Sequence, residues 1–164
     1  MMLDNETLAL ARKVNERLFI ARKIMVTAES CTGGLIASAV TSVPGSSSIL
    51  FGGYVTYDNR AKIEMIGVPD DLIDQYGAVS EQVAIAMAEG ARSTSRTDLA
   101  IAVTGVAGPG GGSADKPVGL VHFALTTGET TMHREHRFGA LGRDEIRQET
   151  VRFALKMIID AGND

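Results

Sequence analysis

DLAIAVTG, residues 98 to 105, is the run that most narrows the choice of fold. From Leu99 to Val103 every side chain is apolar, without the polar alternation of a strand that has one wet face, so it reads as a central strand covered on both sides. Such a strand needs helices above and below it. The chain supplies them. Leu3, Thr7, Leu10, Val14 and Leu18 recur at helical spacing, with Asp4 and Glu6 at the start and Arg22 and Lys23 at the end to match the helix dipole. Ser80 is placed to cap a helix running to about residue 94, with Val83, Met87 and Ala91 on one face and Ala84 and Ala88 beside them. Ile146, Thr150, Phe153, Met157 and Ala161 define a closing helix.

The remaining segments read as further strands and short helices. IMVTA (24 to 28) is a strand that stops at an acid, and GGLIASAV opens a helix with Leu35, Ile36, Ala39 and Val40 aligned. SSSILFGGYVTY (46 to 57) reads as a second strand in which Gly52 and Gly53 mark a bulge or a close backbone approach. NRAKIEMIG and PDDLIDQYG are two short helical pieces, each ending at glycine. VGLVHFAL and TTMHREHRF, joined around Thr127, Gly128 and Glu129, form an antiparallel hairpin whose second arm is polar enough for an edge. The pattern predicts an α/β fold with helices on both faces of a mixed sheet.

Composition excludes several function classes. With 164 residues, 45% apolar and 22% charged, the chain has the size and make-up of one folded domain spanning 1–164. A net charge of -4 and a pI near 5.4, with scattered arginines, do not provide the basic stripe that a nucleic-acid backbone demands. Cys31 is the single cysteine, so neither an internal disulfide nor a multi-cysteine zinc site is available. Charges inside the N-terminal MMLDNETLALARKVNERL leave no signal peptide or membrane span, and the expected compartment is the cytoplasm. Apolar faces and a polar edge strand permit a homo-oligomer, which is the expected state.

Three unusual segments (29 to 34, 57 to 62 and 104 to 117) each follow a strand, and ligands in such folds gather beyond the carboxyl ends of the strands. They are expected to converge in one cleft. In the first, Glu29, Ser30, Cys31, Thr32, Gly33 and Gly34 lie between strand and helix, where free N–H groups suit either a phosphate or an oxyanion beside a nucleophile. A plain helix cap and tight turn explains the same residues. Glu29, at the end of a buried strand, needs donors or positive charge around it, and either orients a catalytic neighbour or favours the helix dipole. Cys31 has the position of a nucleophile, but no loop histidine stands ready as its base. His122, His133 and His136 fall on strands, and His133 and His136, three apart, face opposite sides and do not form a metal pair.

Without a histidine, a serine nucleophile needs another proton acceptor, and a desolvated lysine can serve. YDNRAK offers Tyr57, Asn59 and Lys62 just after the second strand, although a solvated helix lysine is the commoner fate of that residue type. The third segment brings backbone that can approach a ligand at Gly105, Gly108, Gly111 and Gly112, with Thr104, Ser113 and Lys116 as donors. It is not a P-loop, because the GxxxxGK[ST] order is absent and no helix follows. Arg143 and Arg147 either clamp an anion or decorate an exposed face, and the sequence favours decoration.

Together AESCTGG, GYVTYDNRAK, GAVSE and TGVAGPGGGSADKPVG resemble the C-terminal domain of the competence/damage-inducible CinA proteins, the nicotinamide mononucleotide deamidase family. The resemblance covers nearly the whole chain. It implies a three-layer α/β/α fold with a mixed, mostly parallel central sheet, and hydrolysis of the nicotinamide carboxamide to nicotinate mononucleotide and ammonia without metal or cofactor. By motif, Ser30 is the implied nucleophile, Lys62 its base and Tyr57 an aid to proton transfer, with Cys31 to Gly34 as backbone donors. The implied partner is a small nucleotide, held by the glycine loop and its lysine, with Thr104 lining the pocket. Asp58 stands where the family often has a small hydroxyl residue. A nucleotide-binding module that has lost turnover, or a hydrolase of a different small amide, would share these motifs.

Overall fold

In the computed structural model, which describes residues 3–161, the chain runs α1 (Asn5–Ala21), β1 (Met25–Glu29), α2 (Leu35–Thr41), β2 (Leu50–Val55), α3 (Asn59–Ile66), α4 (Asp70–Tyr76), α5 (Glu81–Ser95), β3 (Leu99–Gly105), β4 (Leu120–Thr126), β5 (Thr131–Arg137) and α6 (Arg143–Ala161). The strands lie in the order β2-β1-β3-β4-β5. β1 is parallel to β2 and β3, while β4 is antiparallel to β3 and β5. Only β4 therefore runs against the rest, and the carboxyl ends of β1, β2 and β3 share one edge of the sheet.

The strand period of two sorts the core into two layers. Met25, Ile101, Val103, Phe123 and Leu125 pack with α1, α2 and α6, whereas Ala28, Ala100, Ala102 and Ala124 pack with α3, α4 and α5. The alanines matter because their small side chains let α5 lie close over the sheet centre. β3 is buried along its length up to Gly105, as its unbroken apolar run requires. β5 is the half-exposed edge expected of the hairpin's second arm.

Local signals set most element ends. Asp4 caps α1 by accepting from Thr7 N–H, and Ser80 caps α5 by accepting from Val83 N–H at 3.3 Å. The second strand is shorter than the sequence predicts. Gly45 adopts a left-handed φ of 86°, and Ser46–Ser48 form a 3-10 turn closed by Ile49 N–H on Ser46 O, so extended pairing begins only at Leu50. The two glycines of β2 divide the two expected roles. Met25 pairs with Leu50 and Val26 with Gly52, which leaves Phe51 as the extra residue of a bulge. At Gly53 an added Cβ would stand 2.6 Å from Thr27 Oγ1 and 3.1 Å from Ala37, so the strand and α2 touch backbone to side chain there.

A similar contact seats α3. A Cβ at Gly90 on α5 would lie 1.9 Å from the carbonyl oxygen of Ile66, the last residue of α3. Replacing glycine by alanine inside a helix ordinarily gains about 0.5–1 kcal/mol. Here the clash reverses the sign: Gly90→Ala should destabilise by about 1–3 kcal/mol, read as a fall in Tm on the order of 5 °C. An unchanged or raised Tm in a thermal melt would show that α3 does not rest on this contact.

Candidate active site

The site is assembled where β1 ends. Ser30 N–H still donates to Val103 O at 3.1 Å, so the serine is held by the sheet, and the chain then turns through Gly33 and Gly34 at φ of 59° and 98°. Those positive values favour glycine. Glu29 fixes the turn from inside. Fully buried, its carboxylate accepts from Thr32 Oγ1 at 2.7 Å, Thr27 Oγ1 at 3.0 Å, Ile36 N–H at 2.8 Å and Ala37 N–H at 3.0 Å. Four donors compensate the lost hydration of the acid. Glu29, which the sequence groups with the substrate-facing turn, has both oxygens committed inward, where it caps α2 and holds the residues that follow it.

Lys62 comes from α3, whose start is set by Asp58 accepting from Arg60 N–H at 2.8 Å. One turn into the helix, the lysine is carried inward and is only 1% exposed. Its Nζ donates to Thr56 O at 2.8 Å and to Tyr57 O at 3.3 Å, and it lies 3.2 Å from Ser30 Oγ. Burial pushes the amine below the ordinary lysine range, with Asp58 and Cys31 opposing that shift. A neutral amine has two N–H groups and one lone pair. The two carbonyls can only accept, so they take the N–H groups and leave the lone pair for the serine hydroxyl.

Tyr57, an exposed residue, meets the lysine through its carbonyl, while its ring is held elsewhere: Arg143 Nη2 donates to the phenol oxygen at 3.1 Å. Arg143 Nη1 also donates to Gly108 O at 2.6 Å, and so ties the glycine-rich segment to Tyr57. Arg147, one turn further along α6, donates from Nε to Cys31 O and from Nη2 to Thr32 O, both at 3.2 Å. Decoration, which the sequence favoured for these arginines, is wrong. Their spacing of four was the visible signal, but it does not say which loops they reach.

Other expected site residues are committed to loop architecture. Thr104, 1% exposed, donates from its hydroxyl to Ala78 O at 2.8 Å. Lys116 Nζ donates to Tyr76 O and so braces the segment against the end of α4, while Ser113 Oγ accepts from Lys116 N–H at 3.1 Å and closes the turn that carries the lysine. Gly105 and Gly108 lie against Val121 and Val118, where an added Cβ would be 2.7 and 2.6 Å from side-chain carbon. Gly111, Gly112 and Asn59 are exposed, the last on the first turn of α3. The histidines part as the strand period requires. His122 and His133 approach to 3.0 Å between Nδ1 and Nε2, while His136 packs against Phe138 and Phe153.

Known proteins share this arrangement of chain. The family model described as the CinA C-terminal domain matches residues 7–161. The nicotinamide-nucleotide amidohydrolase PncC of Escherichia coli K12 is 43% identical over 159 residues, covering 96% of this chain and 95% of that protein. A CinA-like protein of Synechococcus sp. RCC307 is 48% identical over 151 residues, and there the match spans 36% of the longer relative. Among solved structures, the competence/damage inducible protein CihA from Agrobacterium tumefaciens superposes with a TM-score of 0.96 at 48% identity, covering 100% of this chain and 99% of that one.

Cys31 lies beside the serine but is no rival to it. The thiol is buried, and that burial pushes its pKa up to about 12, with Glu29 adding to the rise. Native protein at pH 8 should leave a disulfide-exchange reagent such as dithiobisnitrobenzoate unreacted over minutes, and release one equivalent of chromophore once guanidinium unfolds it. Rapid reaction of the native protein would show a thiolate at the turn.

Proposed function

The chain belongs to the CinA C-terminal domain family, and on that premise we propose that it is a nicotinamide-nucleotide amidohydrolase, cleaving the carboxamide of nicotinamide mononucleotide through an acyl-enzyme on Ser30. The observation that carries this reading is the 3.2 Å approach of Lys62 Nζ to Ser30 Oγ in a setting that favours the neutral amine. A lysine meant only to bind an anion would gain from keeping its charge.

Each step then has an owner. Lys62 takes the Ser30 proton as Oγ bonds to the carboxamide carbon, and N–H groups of the turn receive the oxyanion. The resulting ammonium returns that proton to the amide nitrogen as the C–N bond breaks, and ammonia leaves an ester on Ser30. Water gives a proton to Lys62 and attacks the ester carbon. The C–Oγ bond breaks, Oγ regains a proton from Lys62, and nicotinate mononucleotide departs. Arg143 holds the Tyr57 phenol by its oxygen, which leaves the phenolic hydrogen for a bound substrate. Thr104 and Lys116 being committed to Ala78 and Tyr76, ribose and phosphate fall to the exposed backbone of the glycine segment.

Purified protein should release ammonia from the mononucleotide. Ser30→Ala and Lys62→Met should each lose more than about a thousandfold in kcat while remaining folded by circular dichroism. Wild-type rates from Ser30→Ala would overturn the assignment. The acid limb of kcat/KM should report Lys62, since the base works only unprotonated. Asp58 favours the ammonium, so Asp58→Asn, which keeps a capping side chain, should move that limb to lower pH. A limb that stays in place would mean that another group titrates.

A further inference from the structure

A trans peptide unit points its C=O and its N–H in opposite directions, so whatever holds the carbonyl also aims the donor. At the nucleophile turn the carbonyls are held from outside. Arg147 bonds Cys31 O and Thr32 O at 3.2 Å each, from a side chain about a quarter exposed whose nearest acid is Asp144 at 3.9 Å. Holding Thr32 O sends the next N–H back toward Ser30, and Gly33 N–H does donate to Ser30 O at 3.1 Å. Holding Cys31 O sends Thr32 N–H away from α6. Further along, Leu35 N–H is taken by Thr32 O at 3.2 Å, and Ile36 and Ala37 N–H are taken by Glu29. Among the described residues, the bonds that build this turn leave the N–H groups of Cys31, Thr32 and Gly34 without an acceptor from another residue, and of these the Thr32 N–H is the one whose peptide Arg147 grips by its carbonyl.

We propose that Arg147 is a positioning residue: its two-point grip fixes the Cys31–Thr32 peptide so that Thr32 N–H faces the oxyanion formed on Ser30. The inference rests on the reading of Ser30 as nucleophile. A cation on the carbonyl oxygen also polarises the peptide, making the same N–H a stronger donor. Lysine cannot copy the grip, since its ammonium is a point charge and not a planar fork.

The test compares wild type, Arg147→Lys and Arg147→Ala with nicotinamide mononucleotide as substrate, following ammonia release, the pH profile and thermal melts. Loss of one oxyanion donor is worth about a hundredfold or more, so Arg147→Ala should lose about that much kcat with KM within about threefold, and Arg147→Lys should fall between. The acid limb of the profile should stay in place, because Lys62 makes no bond to Arg147. Should the alanine variant fail to fold, the lysine variant decides: reduced kcat at an unchanged melting temperature supports the inference. A folded variant with kcat within twofold of wild type, a defect confined to KM, or a displaced acid limb overturns it. Absence of ammonia release by wild type, or full activity of Ser30→Ala, removes the nucleophile reading itself and is seen before any Arg147 variant is measured.

Discussion

A lysine amine shut away from water, with two carbonyls and one hydroxyl around it, is the constraint on which the site depends. In water the same amine would be an ammonium and a poor base. Burial in place of hydration lowers its affinity for the proton, and whenever the amine is neutral Thr56 O and Tyr57 O leave its lone pair one neighbour to serve. The fold keeps it there through the phase of a helix. Asp58 sets where α3 begins, Lys62 follows one turn later, and Gly90 lets the far end of the helix settle onto α5. A shift of one residue in that start would turn the amine away from Ser30 by about 100°.

A second buried charge lies close by and is solved differently. Glu29 is compensated not by Lys62 but by hydroxyls and helix N–H groups of its own neighbourhood. Acid and base are thereby kept on separate errands. Had the carboxylate paired with the lysine, it would have held the amine in its charged form and spoiled it as a proton acceptor. The helix N-terminus that the sequence offered to an external anion is in part filled by this internal one, which makes the turn rigid before any ligand arrives.

Rigidity also comes from the opposite end of the chain. α6 closes the layer formed with α1 and α2, and its first turns send Arg143 to Tyr57 and Gly108 and Arg147 to Cys31 and Thr32. Three loops that follow three strands are joined by one helix. Loops tied only to themselves would move on their own, whereas loops held by a packed helix share its stability.

What the sequence determined by itself was local. The apolar run of β3, the Ser80 cap, the hairpin and the helical faces are set by side-chain period and by contacts a few residues apart, and so is the turn that displays Ser30. The motifs also named the serine and the lysine. Tertiary structure alone decided their meeting, since Ser30 and Lys62 are 32 positions apart, and it decided that Arg147 reaches back 116 positions to Cys31. It likewise turned Glu29 inward, committed Thr104 and Lys116 to neighbouring carbonyls, and cut the second strand short at Leu50. Periodicity says which face of an element is buried, but the partner of a long polar side chain is chosen only when elements distant in sequence pack and water is excluded between them.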